Sequence, residues 1–431
     1  MLGFTSTAWL GTLLLLLPIA KRGEGSASVL EAFFTATSAV CVTGLTIVDT
    51  QTYWSEFGLF VILVLIQIGG FGVMTLASVI GMAVLGNLPY RTKVTAAAEF
   101  KTEGYGRVRT ITFSIIKITL LIEGIVAAIL FLRFWLGGEH SFIDSIWYGV
   151  FHAVSAFNNA GFSLYSDSMI RYVTDPTVCI PIMVAIILGG LGFPVLMQLR
   201  HYFKDGLKWT MNTRIVLVMT VTLLVLSSLY VLALEWNNPL TLGELPWYDK
   251  LLPGIFQAVQ TRTAGFNSIP VGGMHSATWL GLDFFMFVGG GPAGTAGGVK
   301  VTTIAVLVFI VWTEVRGEAA VNIMGKRLAR SVHRQAIAVV GLAMALVFGA
   351  TLAITLFSPY NLDKVLFEVM SAFGTVGLST GITAQLDPAS LLVLCGLMYV
   401  GRLGPITFAS SLALRERKRL YELPKERPII G

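Results

Sequence analysis

The sequence predicts an all-α polytopic membrane protein with eight transmembrane helices, arranged as four tandem repeats of span, short re-entrant helix and span. Two observations lead to this prediction. The 431-residue chain is 55% hydrophobic and only 13% charged, whereas soluble domains contain about 25% charged residues. A glycine-containing stretch also occurs four times, roughly 110 residues apart, and a spacing this long indicates a tandem array of whole modules.

Each copy of this stretch contains small or polar residues, then a glycine, then Leu or Phe, and finally a hydroxyl or amide side chain. The copies are Ser38–Thr46, Ser155–Ser163, Val259–Asn267 and Ser371–Ser379. Each copy ends a short apolar run, and these runs are Val29–Val40, Ile146–Phe157, Leu251–Gln260 and Val365–Phe373. Because a helix needs about 20 residues to cross a bilayer core, we predict that each run enters the membrane and returns.

Irregular backbone at membrane depth is tolerated only where protein buries it or where it lines water. Four re-entrant helices, each followed by a glycine-containing segment, therefore predict one axis surrounded by carbonyl groups. That is the architecture of an ion selectivity filter. The complete fold prediction is four span–pore helix–span repeats around a central ion pore.

The predicted spans complete the four repeats in chain order. Repeat one (residues 1–88) has the spans Phe4–Ala20 and Phe57–Leu85, and repeat two (89–205) has Ile111–Leu136 and Val178–Leu199. Repeat three (206–325) has Ile215–Leu234 and the broken span Trp279–Trp312, and repeat four (326–414) has Gln335–Phe357 and Leu391–Leu414. A cytoplasmic tail at 415–431 follows. The first apolar run has Lys21 and Arg22 after it instead of a basic leader before it. We interpret Leu2–Ala20 as a membrane helix, with a signal peptide as the alternative.

The charge distribution sets the predicted orientation. Basic residues such as Arg200, Lys204 and Lys208 follow the second spans, while acidic residues such as Asp49 and Glu139 lie in the opposite loops. By the positive-inside rule, both termini are cytoplasmic and the re-entrant helices enter the cell membrane from outside. Each re-entrant helix then points its C-terminus, with about half a negative charge, toward the membrane centre. This arrangement favours cation permeation over anion transport.

On these motifs, essentially the whole chain resembles the Trk/Ktr/HKT superfamily of potassium transporters, and most of all the KtrB-type membrane subunit. The resemblance implies that backbone carbonyls of four glycine segments dehydrate and bind K⁺. The residues of the glycine segments are Val42, Thr43 and Gly44; Asn159, Ala160 and Gly161; Thr263, Ala264 and Gly265; and Thr375, Val376 and Gly377. In the superfamily, serine at the first of these glycines is associated with sodium permeation, so Gly44 favours potassium.

The resemblance also implies partners. It implies a homodimer with one pore per chain, resting on a cytoplasmic KtrA- or TrkA-type ring of nucleotide-binding subunits that respond to ATP or ADP. K⁺ is the expected substrate ion, Na⁺ is left open as an activator, and neither a covalent cofactor nor a nucleic-acid partner is expected. The basic segment Gly317–Arg334 and the tail to Gly431 are candidate docking sites, with ordinary positive-inside charge as the alternative.

The third copy departs from the other three, because Val259 replaces the serine and Arg262 precedes the glycine segment. A guanidinium in a pore would block cations. We therefore predict that Arg262 points behind the segment and bonds acids or carbonyls, with a direct role in permeation as the alternative. We also predict that the last residue of each copy ties the segment to its surroundings. These residues are Thr46, Ser163, Asn267 and Ser379.

A second glycine-rich stretch follows each copy, at residues 68–72, 188–192, 288–292 and 400–404. In three repeats a helix tolerates it, and we interpret it as a site of close helix packing. In repeat three it extends through Gly289, Gly290, Gly291, Pro292, Ala293, Gly294, Thr295, Ala296, Gly297 and Gly298. Since Gly costs a helix about 1 kcal/mol and Pro about 3, we predict a non-helical segment here. The resemblance implies that this glycine loop, Gly289–Gly298, is a gate.

Three ionisable residues fall within the predicted spans. Arg402 lies in repeat four, at the position that corresponds to the glycine loop of repeat three. We predict that it latches the closed loop through the loop's carbonyls, with a purely structural anchor as the alternative. Lys300 is predicted to extend to the membrane interface, the cytosolic vestibule being the alternative. Glu123 is predicted to lie beside neither the glycine segments nor the glycine loop, and to be paired or interfacial sooner than an ion ligand.

Two rival functions are weighed against a gated potassium pore. A secondary transporter would bind its substrate at the midplane, in the broken helix, but it predicts inverted repeats and one or two discontinuous helices instead of four parallel repeats. A membrane enzyme ranks last, because the sequence shows no paired carboxylates and no nucleophile–base set at membrane depth. The run Gly294–Lys300 is not a phosphate loop, since Val299 precedes the lysine and no strand precedes the run.

Overall fold

The computed structural model describes residues 2–85, 105–202, 208–318 and 320–404, and most of these residues are helical. The predicted repeat boundaries near residues 88 and 205 and the predicted tail at 415–431 lie outside the described residues. The described helices form four successive groups, and each group contains a first helix, a short helix and a second helix or helix pair.

The first two groups occupy the N-terminal half of the chain. Group one contains α1 (Leu2–Leu15), α2 (Val29–Val40), the single turn α3 (Thr50–Tyr53) and α4 (Glu56–Leu85). Group two contains α5 (Tyr105–Leu136), α6 (Phe142–Phe157), α7 (Pro176–Leu191) and α8 (Phe193–Tyr202).

The other two groups follow in the same order. Group three contains α9 (Met211–Glu235), α10 (Leu251–Gln260), α11 (Ser276–Phe287) and α12 (Val301–Val315). Group four contains α13 (Arg330–Phe357), α14 (Leu362–Gly374) and α15 (Pro388–Leu403). A small antiparallel hairpin of β1 (Asn322–Ile323) and β2 (Lys326–Arg327) precedes α13, so the predicted repeat boundary at residue 325 falls within its turn.

Serine caps locate the start of two short helices. Ser28 Oγ accepts the N–H of Glu31 at 3.2 Å, and the Glu31 carboxylate accepts the N–H of Ser28 at 2.7 Å, which completes a capping box before α2. Ser141 Oγ accepts the N–H of Asp144 at the start of α6. This cap begins α6 at Phe142, earlier than the predicted Ile146, because an apolar run does not show where a polar cap lies.

The predicted bounds of α2 and α10 are confirmed, whereas α14 extends beyond the predicted Val365–Phe373 at both ends. Among the described residues, three helices are long and apolar enough to cross a bilayer, namely Thr112–Leu136, Met211–Glu235 and Arg330–Phe357. The bent pair Pro176–Leu191 and Phe193–Tyr202 would form a fourth span. The short helix Val29–Val40 and several second helices are apolar but shorter.

The second helices of groups one and two break at a glycine, and that of group four ends at one. Gly72, Gly192 and Gly404 have left-handed φ of 70°, 93° and 84°, and α7 and α8 meet at an angle of 100° across Gly192. An uninterrupted helix over the predicted span Val178–Leu199 is therefore wrong. A helix tolerates glycine, but a left-handed, extended glycine ends the hydrogen-bond ladder and redirects the chain.

The packing role predicted for the same stretches is confirmed at the residues just before each break. A Cβ on Gly69, Gly189 or Gly401 would collide with a backbone carbonyl at the C-terminus of the short helix of its own group. The three colliding pairs are Gly69 with Val40, Gly189 with Phe157 and Gly401 with Phe373. Each second helix thus lies directly against the end of a short helix.

The groups also pack on one another in cyclic order. The second helix of each group contacts the short helix of the next: α4 contacts α6, α7 contacts α10, α11 contacts α14, and α15 contacts α2. Each short helix buries a phenylalanine completely, and these are Phe34, Phe151, Phe256 and Phe367. These buried rings pack the short helices into the core by van der Waals contact.

Candidate functional site

The four glycines of the repeated stretch lie next to one another in a closed ring. All are left-handed, with φ of 87° at Gly44, 70° at Gly161, 77° at Gly265 and 95° at Gly377. A Cβ on any of them would collide with a carbonyl of the next group. The four colliding pairs are Gly44 with Ala160, Gly161 with Ala264, Gly265 with Val376, and Gly377 with Thr43. The contacts return to the first group, so the glycine segments meet around one axis, where only glycine fits.

A second residue of each glycine segment is left-handed although it carries a side chain. The φ angles are 55° at Val42, 60° at Asn159, 67° at Thr263 and 51° at Thr375. Residues in sparsely populated backbone regions cost about 1–3 kcal/mol each and persist only where their surroundings hold them. Alternating left-handed and ordinary residues turns successive carbonyls toward one side of the chain. A carbonyl-lined ion site requires this geometry.

The glycine loop interrupts the second helix of group three between α11 and α12, as its glycine and proline content predicts. Its two ends are joined by a hydrogen bond of 2.8 Å from the N–H of Gly289 to the carbonyl of Val299. Two further backbone bonds attach the loop to α7, from Gly291 to Gly190 (2.8 Å) and from Thr295 to Gly189 (3.2 Å). The loop is therefore packed against protein on several sides.

This loop contacts two glycine segments that lie on opposite sides of the ring. The Thr295 hydroxyl lies 3.2 Å from Oδ1 of Asn159. Gly297 lies against the side chain of Thr375, whose Oγ1 a Cβ on Gly297 would meet. Asn159 and Thr375 are the first residues of their segments, so the loop lies at the end of the ring where the short helices terminate.

Arg402 connects the glycine loop to another group. Its Nη1 donates to the carbonyl of Thr295, and its Nη2 donates to the carbonyl of Gly69 in α4. Lys300 donates from Nζ to the carbonyl of Ala296 at 2.7 Å, so its ammonium bonds the loop instead of extending to the membrane interface as predicted. Carbonyls freed by the missing helical bonds are available to both cations.

Comparison with known families shows what this arrangement belongs to. A family model described as cation transport protein, TrkH, matches residues 10–418, which is nearly the entire chain. The chain belongs to the TrkH family of cation transport proteins. Its membership confirms the resemblance inferred from the four glycine segments.

Individual relatives are similar to this TrkH-family protein over almost all of its length. The Ktr system potassium uptake protein B of Bacillus subtilis is 38% identical over 97% of this chain and 93% of its own length. The potassium/sodium uptake protein NtpJ of Enterococcus hirae is 33% identical, over 100% of this chain and 96% of its own. The crystal structure of the potassium transporter TrkH from Vibrio parahaemolyticus has the same fold, with a TM-score of 0.70 and 21% identity, covering 95% of this chain and 83% of that one.

In this TrkH-family protein, polar side chains of the short helices hold the glycine segments. Ser38 and Ser371 occupy the same position in their copies, and each accepts the N–H of its segment's glycine, at 3.1 and 3.0 Å. Ser155 donates to the carbonyl of Phe162 at 2.8 Å. In the third copy, where Val259 replaces the serine, the neighbouring Gln260 accepts the N–H of Phe266 at 3.1 Å.

The residues after the glycines are anchored by two side chains that the sequence analysis did not single out. His152 Nε2 accepts the N–H of Leu164 and contacts the Ser163 hydroxyl, both at 3.2 Å. Glu368 accepts the Ser379 hydroxyl at 2.8 Å and further bonds from the residues that follow it. His152 and Glu368 stand at the same distance before the glycine in copies two and four, and a polar residue at this matched position was the available signal. The predicted anchoring of Ser163 and Ser379 is confirmed.

Arg262 is buried behind its glycine segment, as predicted. Its Nη2 donates to the carbonyl of Phe285 in α11 at 2.6 Å, and its own carbonyl accepts a bond of 2.9 Å from Nδ2 of Asn159. Among the described residues, its Nε and Nη1 have no hydrogen-bond partner. The guanidinium therefore ties the third glycine segment to α11 and does not line the axis of the ring.

The prediction that Glu123 lies beside neither the glycine segments nor the glycine loop is wrong. Its carboxylate accepts a bond of 3.0 Å from Nδ2 of Asn158, which immediately precedes Asn159, and one of 3.2 Å from Nε2 of Gln67 in α4. Glu123 is only 5% exposed. It was missed because α5 and α6 are separate in sequence, and only their packing brings the carboxylate to the end of the short helix.

Acidic caps lie in the loops that follow the glycine segments. Hydrogen bonds from the hydroxyl and N–H of Ser390 lower the pKa of Asp387. Partial burial raises the pKa of Asp175, but bonds from Thr177 and Arg133 outweigh it and hold the value below its ordinary range. Both carboxylates therefore remain ionised at neutral pH, but Arg133 pairs with Asp175 at 2.7 Å, so of the two it is the charge of Asp387 that attracts cations.

Proposed function

We propose that this protein is the ion-translocating membrane subunit of a potassium uptake system. One observation carries the proposal: four glycine segments close into a ring with the same alternating backbone in every copy. The C-termini of four short helices end directly before these segments, and each contributes about half a negative charge that favours a cation. Relatives named as potassium uptake proteins support K⁺ as the ion.

In this proposal the ion is dehydrated by backbone carbonyls of the twelve residues in the four glycine segments. Glycine at all four ring positions supports K⁺ over Na⁺. NtpJ is named as a potassium/sodium uptake protein, which supports Na⁺ as a second transported ion or as an activator. Since backbone carbonyls replace the ion's hydration shell, no charged side chain is required in the ring.

The glycine loop is proposed as the gate, because a packed segment at one end of the ring obstructs an ion that leaves there. Arg402 would latch this closed position through the carbonyl of Thr295. Opening then requires the guanidinium to release at least one of its two carbonyls, that of Thr295 in the loop or that of Gly69 in α4.

Around this pore we propose four repeats with eight spans, in the cell membrane, with both termini in the cytoplasm. The relatives are named as members of a Ktr system, which supports a second, soluble component. We propose a homodimer seated on a cytoplasmic ring of nucleotide-binding subunits that respond to ATP or ADP, and the hairpin of β1 and β2 is a candidate contact.

Uptake into liposomes tests the proposed function. The purified chain would be reconstituted alone, and K⁺ or Rb⁺ uptake measured with increasing external Na⁺, for the wild type and for Gly44→Ser. We expect the wild type to prefer K⁺ and Gly44→Ser to lower that preference by about tenfold, since a Cβ at Gly44 forces the ring to widen.

Gly23→Ser is the matched control, because Gly23 is also left-handed, with φ of 86°, but has open space around its Cβ position. Its preference should equal that of the wild type. If the wild type shows no K⁺ preference in monodisperse protein, the filter proposal fails, and a secondary transporter with a midplane site at the broken helix becomes the leading candidate.

A further inference from the structure

Thr295 is fixed at every polar group it possesses. Its N–H donates to the carbonyl of Gly189 in α7 at 3.2 Å, and its carbonyl accepts from Arg402. Its hydroxyl has one proton to donate and lies between two acceptors, Asn159 Oδ1 at 3.2 Å and the carbonyl of Phe157, the last residue of α6, at 3.3 Å. Thr295 is 1% exposed, so water does not compete for these bonds.

The side chain of Asn159 transmits this contact to the neighbouring group. Its Oδ1 faces the Thr295 hydroxyl, and its Nδ2 donates to the carbonyl of Arg262 at 2.9 Å, just before the third glycine segment. Asn159 is itself the left-handed first residue of the second segment, with φ of 60°. The same residue thus belongs to the second glycine segment and contacts the glycine loop.

The helix between these residues leaves room for the contact. A Cβ on Gly189 would come within 2.8 Å of Thr295 Oγ1 and 3.0 Å of Asn159 Oδ1. Any larger residue there would separate the loop from the glycine segment. The glycine therefore permits a direct hydrogen bond where a side chain would otherwise insert.

Across the ring, the loop contacts a second segment without a hydrogen bond. Gly297 lies against the side chain of Thr375, and Thr375 Oγ1 has no hydrogen-bond partner among the described residues. The contact of the loop with segment four is one of packing, whereas its contact with segment two is polar. Only the polar contact depends on a single hydroxyl group.

We propose that the Thr295–Asn159 hydrogen bond couples the glycine loop to the ring, so that the position of the loop sets the ion preference of the glycine segments as well as the flow of ions. Thr295 is then a positioning residue for selectivity. This inference rests on the proposed function, in which the segments are the filter and the loop is the gate.

The physical argument concerns the strained backbone of Asn159. With the loop in place, both ends of its carboxamide are bonded, and the ring carbonyls of segment two are held at one spacing. When the loop moves aside, Oδ1 loses the Thr295 donor and the left-handed residue loses part of the support that keeps it. Two loop positions therefore correspond to two ring geometries. By linkage, an ion that binds one geometry better also favours that loop position by the same factor.

Thr295→Val removes the hydroxyl and keeps the volume of the side chain. Because conducting protein has its loop displaced, the test measures the competition of K⁺ and Na⁺ for the purified, non-conducting protein by isothermal titration calorimetry. We expect the ratio of the K⁺ to the Na⁺ affinity to fall by about fivefold, the effect of one neutral hydrogen bond. Thr295→Ser keeps the hydroxyl and should restore most of the preference. Thr313→Val, a buried threonine at the other end of α12, is the control and should behave as wild type.

A double-mutant cycle with Arg402→Ala separates coupling from local damage. If Arg402→Ala already releases the loop, Thr295→Val should change selectivity in the wild-type background and add nothing in the Arg402→Ala background. Equal effects in both backgrounds, or a Thr295→Val protein with changed flux and unchanged ion preference, would overturn the coupling. The proposed function fails on different results, namely no K⁺ preference in the wild type and no effect of Gly44→Ser.

Discussion

The glycine segments and the second helices belong to the same four groups of helices, but they resemble their counterparts in the other groups to different degrees. All four segments have a left-handed residue at the first and third positions, although their sequences differ at every position except the glycine. The second helices share a glycine stretch, yet those of groups one and two break at one residue, α15 ends at one, and the second helix of group three is interrupted over residues 288–300.

The difference shows where symmetry is enforced. Each glycine segment forms part of the wall of the next, so a change in one copy collides with its neighbour. Past the ring the packing differs between copies: the second helices of groups one, two and four lie on the short helix of their own group, whereas α11 contacts α14, the short helix of the next group. One second helix can therefore differ from its three counterparts, and in group three the glycine loop replaces part of a continuous helix.

The largest expected effect breaks the symmetric side of this comparison. Gly161→Ala places a Cβ against the carbonyl of Ala264 and forces a left-handed alanine, so we expect at least a tenfold loss of K⁺ uptake. Gly23→Ala imposes the left-handed conformation in open space and should cost only about 1 kcal/mol of stability. Uptake and thermal unfolding of the two proteins measure the difference. Equal behaviour of the two variants would show that the ring contacts do not matter.

The next effect concerns the divergent side. Arg402→Ala removes the donors that bridge Thr295 and Gly69, so we expect basal K⁺ flux to rise by about tenfold in protein reconstituted without partners. Arg402→Lys keeps the charge but lacks the planar fork that reaches both carbonyls, and should give an intermediate flux. Unchanged or lower flux in well-folded Arg402→Ala would assign the arginine a structural role only.

A smaller effect tests a link between the two sides. Glu123 accepts bonds from Gln67 of a second helix and from Asn158 beside a glycine segment. Glu123→Gln retains the shape but replaces one acceptor oxygen by a donor, so we expect about threefold weaker K⁺ uptake with little loss of expression. Glu56→Gln, at an exposed position, is the control. An uptake rate equal to that of the wild type would restrict Glu123 to helix packing.

The sequence predicts the features of this molecule that depend on local composition, and it does not predict those that depend on tertiary packing. The bounds of α2 and α10, the break in group three and the burial of Arg262 behind its segment all follow from local composition. The start of α6 at Phe142 and the breaks at Gly72 and Gly192 do not, because a polar cap and a left-handed glycine look like ordinary loop and helix residues in a sequence.

The candidate site shows the same limit more sharply. The glycine segments are visible as a repeat, but the order in which they contact one another is not. The matched positions of His152 and Glu368 are visible in the sequence, but the groups that they bond are not. Glu123 required the packing of α5 on α6, and the Thr295–Asn159 contact joins residues that are far apart in the chain.

The ring closes through the two ends of the described chain, since Gly377 meets Thr43 and α15 packs on α2. During synthesis the first glycine segment must therefore wait until the last repeat has been made. Until then its strained residue, Val42, lacks one of the two neighbouring walls. A chain stopped after three repeats would contain most of the helices and no ring. Biogenesis of this protein is thus expected to depend on late, long-range contacts, whose formation is slow and leaves intermediates exposed.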